Sequence, residues 1–283
     1  MKLKLAVALL LIGLTACNNV TPTTNKLGLQ LWSLRNQLTA SLPAGMAEVK
    51  SLGFTEIETA GTYGHTAKDL RTLADANGLT IAGSHIPYER MESDLPGVIA
   101  EVKTFGAQYV VVAWVPHKGD FGIDEAKAAA ANFNKWGAAL KAEGLKFGFH
   151  THGYEFKPQP DGTTAFDVLM KETDPDLVFC EMDVFWVVNA GVDPVALLQK
   201  YPNRFKAFHI KDMRKGAPTG FYEGHAPASD NVVVGQGMMD WPAIVAEGRK
   251  VGVQYWFIED ETSDPIANIP PSIKYMETLG VKP

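Results

Sequence analysis

The sequence predicts a single-domain (β/α)8 barrel, and three observations predict it. Eight short β-rich runs alternate with stretches of helical spacing, which is the pattern of parallel βαβ units. Several of the intervening stretches end in glycine just before the next run, as at Gly53, Gly78, Gly106 and Gly144, where a helix C-terminus needs a left-handed residue. Eight such units fit the roughly 250 residues that such barrels occupy. An open doubly wound sheet is the alternative, but no G-x-G-x-x-G follows the first run.

At the N-terminus, Lys2 and Lys4 precede the apolar run Leu5 to Leu14, and Leu14-Thr15-Ala16-Cys17 closes it. A basic start, a short apolar core and a small residue before a cleavage point describe a secretory signal over residues 1–16. Ten apolar residues are too few for a membrane-spanning helix. The L-T-A-C ending resembles a bacterial lipobox, so Cys17 is expected to be lipidated and to anchor the mature chain at a membrane, facing the periplasm or exterior. Residues 17–26 (CNNVTPTTNK) then read as a flexible tether, and residues 27–283 as the barrel. Within it the β-rich runs are 27–33 (LGLQLWS), 54–60 (FTEIETA), 79–85 (LTIAGSH) and 108–114 (QYVVVAW). Four more lie at 145–152 (LKFGFHTH), 177–183 (LVFCEMD), 204–210 (RFKAFHI) and 254–260 (QYWFIED). Helical spacing fills the gaps, as in SLPAGMAEVKSLG and AKAAAANFNKWGAALKAEG, and a further helix is expected from about Asp240.

Composition narrows the function. Loss of Lys2 and Lys4 with the leader takes the formal charge from −6 to −8, which argues against a nucleic-acid partner. The second cysteine, Cys180, has no disulfide partner once Cys17 is lipidated, and it reads as a small buried hydrophobe. VVVGQG (232–237, within NVVVGQGMMDW) lacks a phosphate-loop pattern and reads as a turn that brings backbone toward the pocket.

In a (β/α)8 barrel the chemistry sits at the carboxyl ends of the strands. Those ends carry Trp32, Glu58, His85, Trp114, His150 with His152 and Glu155, Asp183, His209 and Glu259. Glu155, Asp183, His209 and Glu259 come from four consecutive ends and make a candidate metal site of three carboxylates and one imidazole. Such a hard donor set suits one divalent ion, Mn2+ first, with Mg2+, Co2+ or Zn2+ as alternatives. Taken singly, each acid could equally be a helix N-cap or a salt-bridge partner, and His209 a core histidine bonded to backbone. His150 reads as structural.

The motifs FHTHGYEF (149–156), EMDVFW (181–186), FHIKDM (208–213), VVGQGMMDW (233–241) and FIED (257–260) resemble the sugar phosphate isomerase/epimerase superfamily of xylose isomerase-like barrels. Weaker echoes are LGLQLWSLR (27–35), GFTEIE (53–58) and SHIP (84–87), so the resemblance spans about residues 27 to 278. It implies a metal on Glu155, Asp183, His209 and Glu259, with His152 at the pocket and Glu58 and His85 lining its opposite side. It also implies a sugar isomerase or epimerase that removes the proton α to a sugar carbonyl through a metal-stabilised enediolate. Glu155 and Glu259 are then the acid and base. Two positions depart from better-studied epimerases. Trp186 stands where a substrate-binding histidine is common, and Lys211 adds a cation able to bond an enolate oxygen. An exported protein would also rarely meet sugar phosphates.

The alternative on the same scaffold is a 3-keto-glycoside lyase or hydratase, which expels the aglycone by β-elimination. Trp32, Trp114 and Trp186 would suit its bulky substrate. A non-catalytic sugar-binding lipoprotein is the second alternative, though it would have no need of the acid/base pair. A three-metal endonuclease fits poorly with seven histidines and a negative charge. The expected partner is therefore a small carbohydrate or keto-glycoside, the only expected membrane contact is the lipid anchor, and assembly into an oligomer is left open.

Overall fold

A computed structural model describes residues 25–283. The leader, Cys17 and most of the tether lie outside the described residues. Eight parallel strands close on themselves, each paired with its sequence neighbours and the eighth with the first. They are Leu27–Gln30, Glu56–Thr59, Thr80–His85, Tyr109–Val112, Lys146–His150, Val178–Asp183, Phe205–Ile210 and Tyr255–Ile258. Every one falls inside the run predicted for it. Lys26, in the stretch read as tether, bridges Lys282.

The helices form where the sequence spaces apolar residues by three and four. In Ile123–Ala142 the buried positions are Ala126, Ala129, Ala130, Phe133, Trp136, Gly137 and Leu140, one stripe laid against the barrel. Gly137 lets that helix approach closely, because a Cβ there would lie 2.5 Å from the Leu177 carbonyl oxygen. Gly53, Gly78, Gly106 and Gly144 all have positive φ, as their place at helix ends predicts. Cys180 is buried, its Sγ 3.7 Å from Met170 Sδ. Among the described residues no helix is long and apolar enough to cross a membrane.

Strand alternation decides what fills the barrel. Its lower interior is apolar: Ala82, Tyr109, Val111, Phe179, Ala207, Tyr255 and Phe257 form one buried cluster. Tyr109 fits because Gly83 faces it, where a Cβ would lie 2.0 Å from the ring. Two residues further along the sixth, seventh and eighth strands the same face turns polar. Phe179 is followed by Glu181 and Asp183, Ala207 by His209 and Lys211, and Phe257 by Glu259. The period-2 rule thus stacks a charged layer on an aromatic plug.

One unpredicted element borders that layer, an antiparallel pair of Asp212–Met213 with Asn231–Val232. The Asp212 carboxylate beside it accepts the amides of Met213, Gly235, Gly237 and Met239 at 2.8–3.2 Å and the Trp241 indole N–H at 3.0 Å. The VVVGQG turn is therefore pinned on Asp212, and none of Val234, Gly235 or Gly237 lines the large cavity at the strand ends. The helix expected from Asp240 runs Trp241–Lys250, with Asp240 as its cap.

Candidate functional site

A cavity of about 750 Å3 opens at the carboxyl ends of the strands. Its lining includes His85, His150, His152, Lys211 and Glu259 below, with Trp32, Trp114, Trp186 and Glu261 around them.

Asp183, His209 and Glu259 converge, so that one ligating atom from each lies within 4.8 Å of the others. Asp183 pairs with His209 across neighbouring strands, and Glu259 stands two residues beyond Phe257, the partner of His209 on the other side. Asp183 serves twice. Its Oδ1 caps the helix Val184–Asn189 by accepting the Trp186 amide at 3.2 Å, while Oδ2 faces the site 3.4 Å from Lys211 Nζ. Asp183 is thus an N-cap whose second oxygen still faces the site.

Glu155 is elsewhere. Gly153, at φ 93°, turns the chain into a short 3-10 turn over Tyr154–Phe156. That turn folds the carboxylate back onto the His152 amide, 3.0 and 3.4 Å from its two oxygens. Glu155 is fully buried, and burial pushes its pKa up to about 8 against the pull of those amides. The structure does not bring it into the Asp183–His209–Glu259 group, nor does it line the cavity. Spacing along HTHGYEF could not show this, since a turn instead of a strand carries the residue.

Glu58 is also not a wall. It lies beneath the floor, fully buried, and accepts from Gln30 Nε2 at 2.6 Å and the Tyr109 hydroxyl at 2.7 Å. His209 Nε2 is 2.8 Å and His85 Nε2 3.1 Å from the same carboxylate. Burial alone would raise the pKa of Glu58, but His85 and His209 hold it well below the usual carboxylate range. The converse holds for His85: Glu58 and Glu181 overcome burial and raise it to about 9.

Glu181 escaped the sequence reading. Its Oε2 gathers His85 Nε2 at 2.8 Å, His150 Nδ1 at 2.9 Å and His209 Nε2 at 3.3 Å. The signal that could have found it is alternation, because Glu181 and Asp183 share one face, as do His150 and His152. His150 is likewise no mere scaffold residue, since it lines the cavity.

Lys211 is buried, in contrast to a solvated surface charge. Its ammonium lies 3.4 Å from Asp183 Oδ2 and 3.2 Å from Glu259 Oε2, and it also bonds Glu261. Trp186 and Phe185 stand 5.1 and 5.4 Å beneath it at cation–π range. Those three carboxylates raise its pKa against the opposing effect of burial. Trp186 is itself mostly covered and stacks on His152 at 5.6 Å, whereas Trp32 and Trp114 remain 42% and 36% exposed, Trp32 beneath the Arg35 guanidinium and Trp114 stacked on His117. His152 Nδ1 lies 2.9 Å from the Ala113 carbonyl oxygen, and burial lowers its pKa to about 4. The ring is neutral at pH 7, and the carbonyl fixes its proton on Nδ1.

A divalent metal fits this donor set. His209 Nδ1 is buried without a hydrogen-bond partner and lies 3.4 Å from Glu259 Oε2. Its other nitrogen is held by Glu58, the carboxylate–histidine arrangement that orients a ligand. The Asp183 and Glu259 carboxylates already share one cation, the Lys211 ammonium.

With this geometry in view, the chain can be placed among known proteins. The family described as "Xylose isomerase-like TIM barrel" matches residues 46–279, and the chain belongs to it. An inosose dehydratase of Clostridium beijerinckii is 28% identical, over 79% of this chain and 83% of its own length. The inosose dehydratase of Lacticaseibacillus casei is 26% identical, over 77% and 81%. Among solved structures, a sugar phosphate isomerase/epimerase from Parabacteroides distasonis superposes with a TM-score of 0.73. It is 28% identical and matches over 93% of this chain and 97% of that one.

Proposed function

We propose that this xylose isomerase-like barrel is a β-eliminating lyase acting on a ring ketone of a polyol or glycoside. It removes the proton α to the ketone and expels the oxygen substituent on the next carbon. This reverses the order expected from the motifs, where isomerisation stood first. The observation that carries elimination is the similarity of more than three-quarters of the chain to inosose dehydratases.

The steps map onto residues of the cavity. His152, neutral and with its proton committed to the Ala113 carbonyl, presents Nε2 as the base that accepts the α-proton. The C–H electron pair becomes the enolate, and the Lys211 ammonium donates a hydrogen bond to its oxygen. Collapse of the enolate restores the carbonyl, breaks the C–O bond at the β-carbon and leaves an α,β-unsaturated ketone. The departing oxygen takes the proton that His152 accepted in the first step, leaving as water from a polyol or as the aglycone alcohol from a glycoside. Glu259, which Lys211 and His209 hold ionised against the effect of burial, contributes an anionic oxygen beside the reacting centre. A divalent ion on Asp183, His209 and Glu259, Mn2+ first, would supply Lewis-acid stabilisation of the enolate oxygen.

The cavity falls within the range that takes drug-sized ligands and exceeds the needs of a single polyol ring. The part-exposed Trp32 and Trp114 give the cavity wall aromatic surface for an aglycone, which favours a glycoside over a free cyclitol. Lipidation at Cys17 would place the reaction outside the cytoplasm, where glycosides are met. Incubation with 3-keto-glucosides, keto-cyclitols and free ketoses in D2O, followed by NMR, tests the proposal. Aglycone or water loss with formation of an enone supports it. Deuterium incorporation into an intact skeleton, without elimination, returns the isomerase reading, and silence with tight sugar binding indicates a binder.

A further inference from the structure

We propose that His150, through Nε2, is the fourth protein donor of the divalent-metal site, in the place expected for Glu155. This rests on the reading that Asp183, His209 and Glu259 hold a metal.

The position of the proton on each imidazole decides which nitrogen can ligate. His209 has Nε2 on Glu58 at 2.8 Å, and its Nδ1 is buried, without a hydrogen-bond partner, beside Glu259. His150 repeats the arrangement with the nitrogens exchanged. Its Nδ1 lies 2.9 Å from Glu181 Oε2, which fixes the proton there and leaves the lone pair on Nε2. That nitrogen is 3.9 Å from Asp183 Oδ2, too far for a hydrogen bond. It is nevertheless inside the roughly 4.2 Å that two donors of one ion can span when each bond is about 2.1 Å. The two imidazoles are 4.5 Å apart between centroids, and each sits on a carboxylate. His150 also lines the cavity together with Glu259.

Glu155 would have to give up its bonds to the His152 amide to fill this role, because both oxygens face that amide. A second grouping, His85 with His150, Glu181 and His209, lies deeper. In it Glu181 Oε2 takes His85 and His150 and Glu58 takes His209, while Glu181 Oε1 has no partner. An ion there would have to displace those imidazole bonds, whereas the outward site leaves them in place and takes over the Asp183 and Glu259 oxygens that Lys211 now shares. Glu58 and Glu181 are therefore positioning residues for the two histidine ligands.

Mn2+ titrated into the full mature chain, with pulsed EPR to count coordinated imidazole nitrogens, tests this. Two coupled nitrogens are expected in the wild type and in Glu155→Gln, whose Mn2+ affinity should stay within about threefold. One nitrogen is expected in His150→Gln, with affinity at least tenfold weaker. A single nitrogen in the wild type overturns the proposal, and that measurement needs no variant to fold. Loss of Mn2+ in Glu155→Gln with retention in His150→Gln overturns it in favour of Glu155. If the wild type binds no Mn2+, or Asp183→Ala binds it unchanged, the metal reading itself fails and the proposal falls with it.

Discussion

Replacing Glu155 by glutamine separates the two roles open to that residue, because they predict opposite effects on stability. The carboxyl is fully buried and burial raises its pKa from 4.5 to about 8. In the unfolded chain it ionises near 4.5, so between these values the folded protein holds a proton that the unfolded chain has released. Stability contributed by the protonated group is complete below the unfolded value and is lost progressively as pH rises toward the folded one. The displacement corresponds to about 5 kcal/mol. Glutamine cannot ionise and its carbonyl oxygen can still accept the His152 amide, so Glu155→Gln should lack this slope. Urea unfolding of both proteins in chelator, at intervals from about pH 5 to about pH 8, measures the difference directly and cancels the other titrating groups. The variant should gain on the wild type by several kcal/mol across that range. A difference that is flat, or that grows against the variant as pH rises, would show that the wild type keeps Glu155 ionised, as a metal ligand or ready base must be.

Three further expectations concern other groups. Lys211→Met leaves Asp183, Glu259 and Glu261 without their buried cation, so it should destabilise the metal-free protein by about 3–5 kcal/mol; added Mn2+ should then raise its melting temperature more than that of the wild type, and equal rises would contradict the shared carboxylates. Trp114→Ala should raise KM about tenfold or more for keto-glycosides with aromatic aglycones and change that for keto-cyclitols little, while equal effects on both would remove Trp114 from an aglycone site. Cys17→Ser should move the protein from the membrane to the soluble fraction on cell fractionation, and persistence at the membrane would refute a lipid anchor.

How much of the molecule is legible along the chain depends on the range of the interaction. Every barrel strand lies in the run predicted for it, because alternation and glycine stops are local signals that a barrel of buried parallel strands enforces. Asp183, His209 and Glu259 are legible for the same reason: each ends, or directly extends, a regular strand whose neighbours fix its height. Glu155 lies away from the place its motif suggests because the chain leaves the strand at Gly153, and φ 93° there redirects Tyr154–Phe156. Glu58 carries no local sign that it sits below the floor, a depth set by its bonds to Gln30 and Tyr109 on the first and fourth strands.

The sequence by itself determined the barrel, the end at which its chemistry lies and the carboxylate-rich character of that end. Those properties derive from periodicities of about two and 3.6 residues and from which strands must be neighbours. Only the tertiary structure decided which atoms meet. The orientation of each imidazole, the burial of Lys211 among three carboxylates and the retreat of Glu155 onto backbone are set by partners up to 151 residues apart in the chain, as between Glu58 and His209. Hydrogen bonds and desolvation act over a few ångströms, and no pattern along the chain encodes such distances.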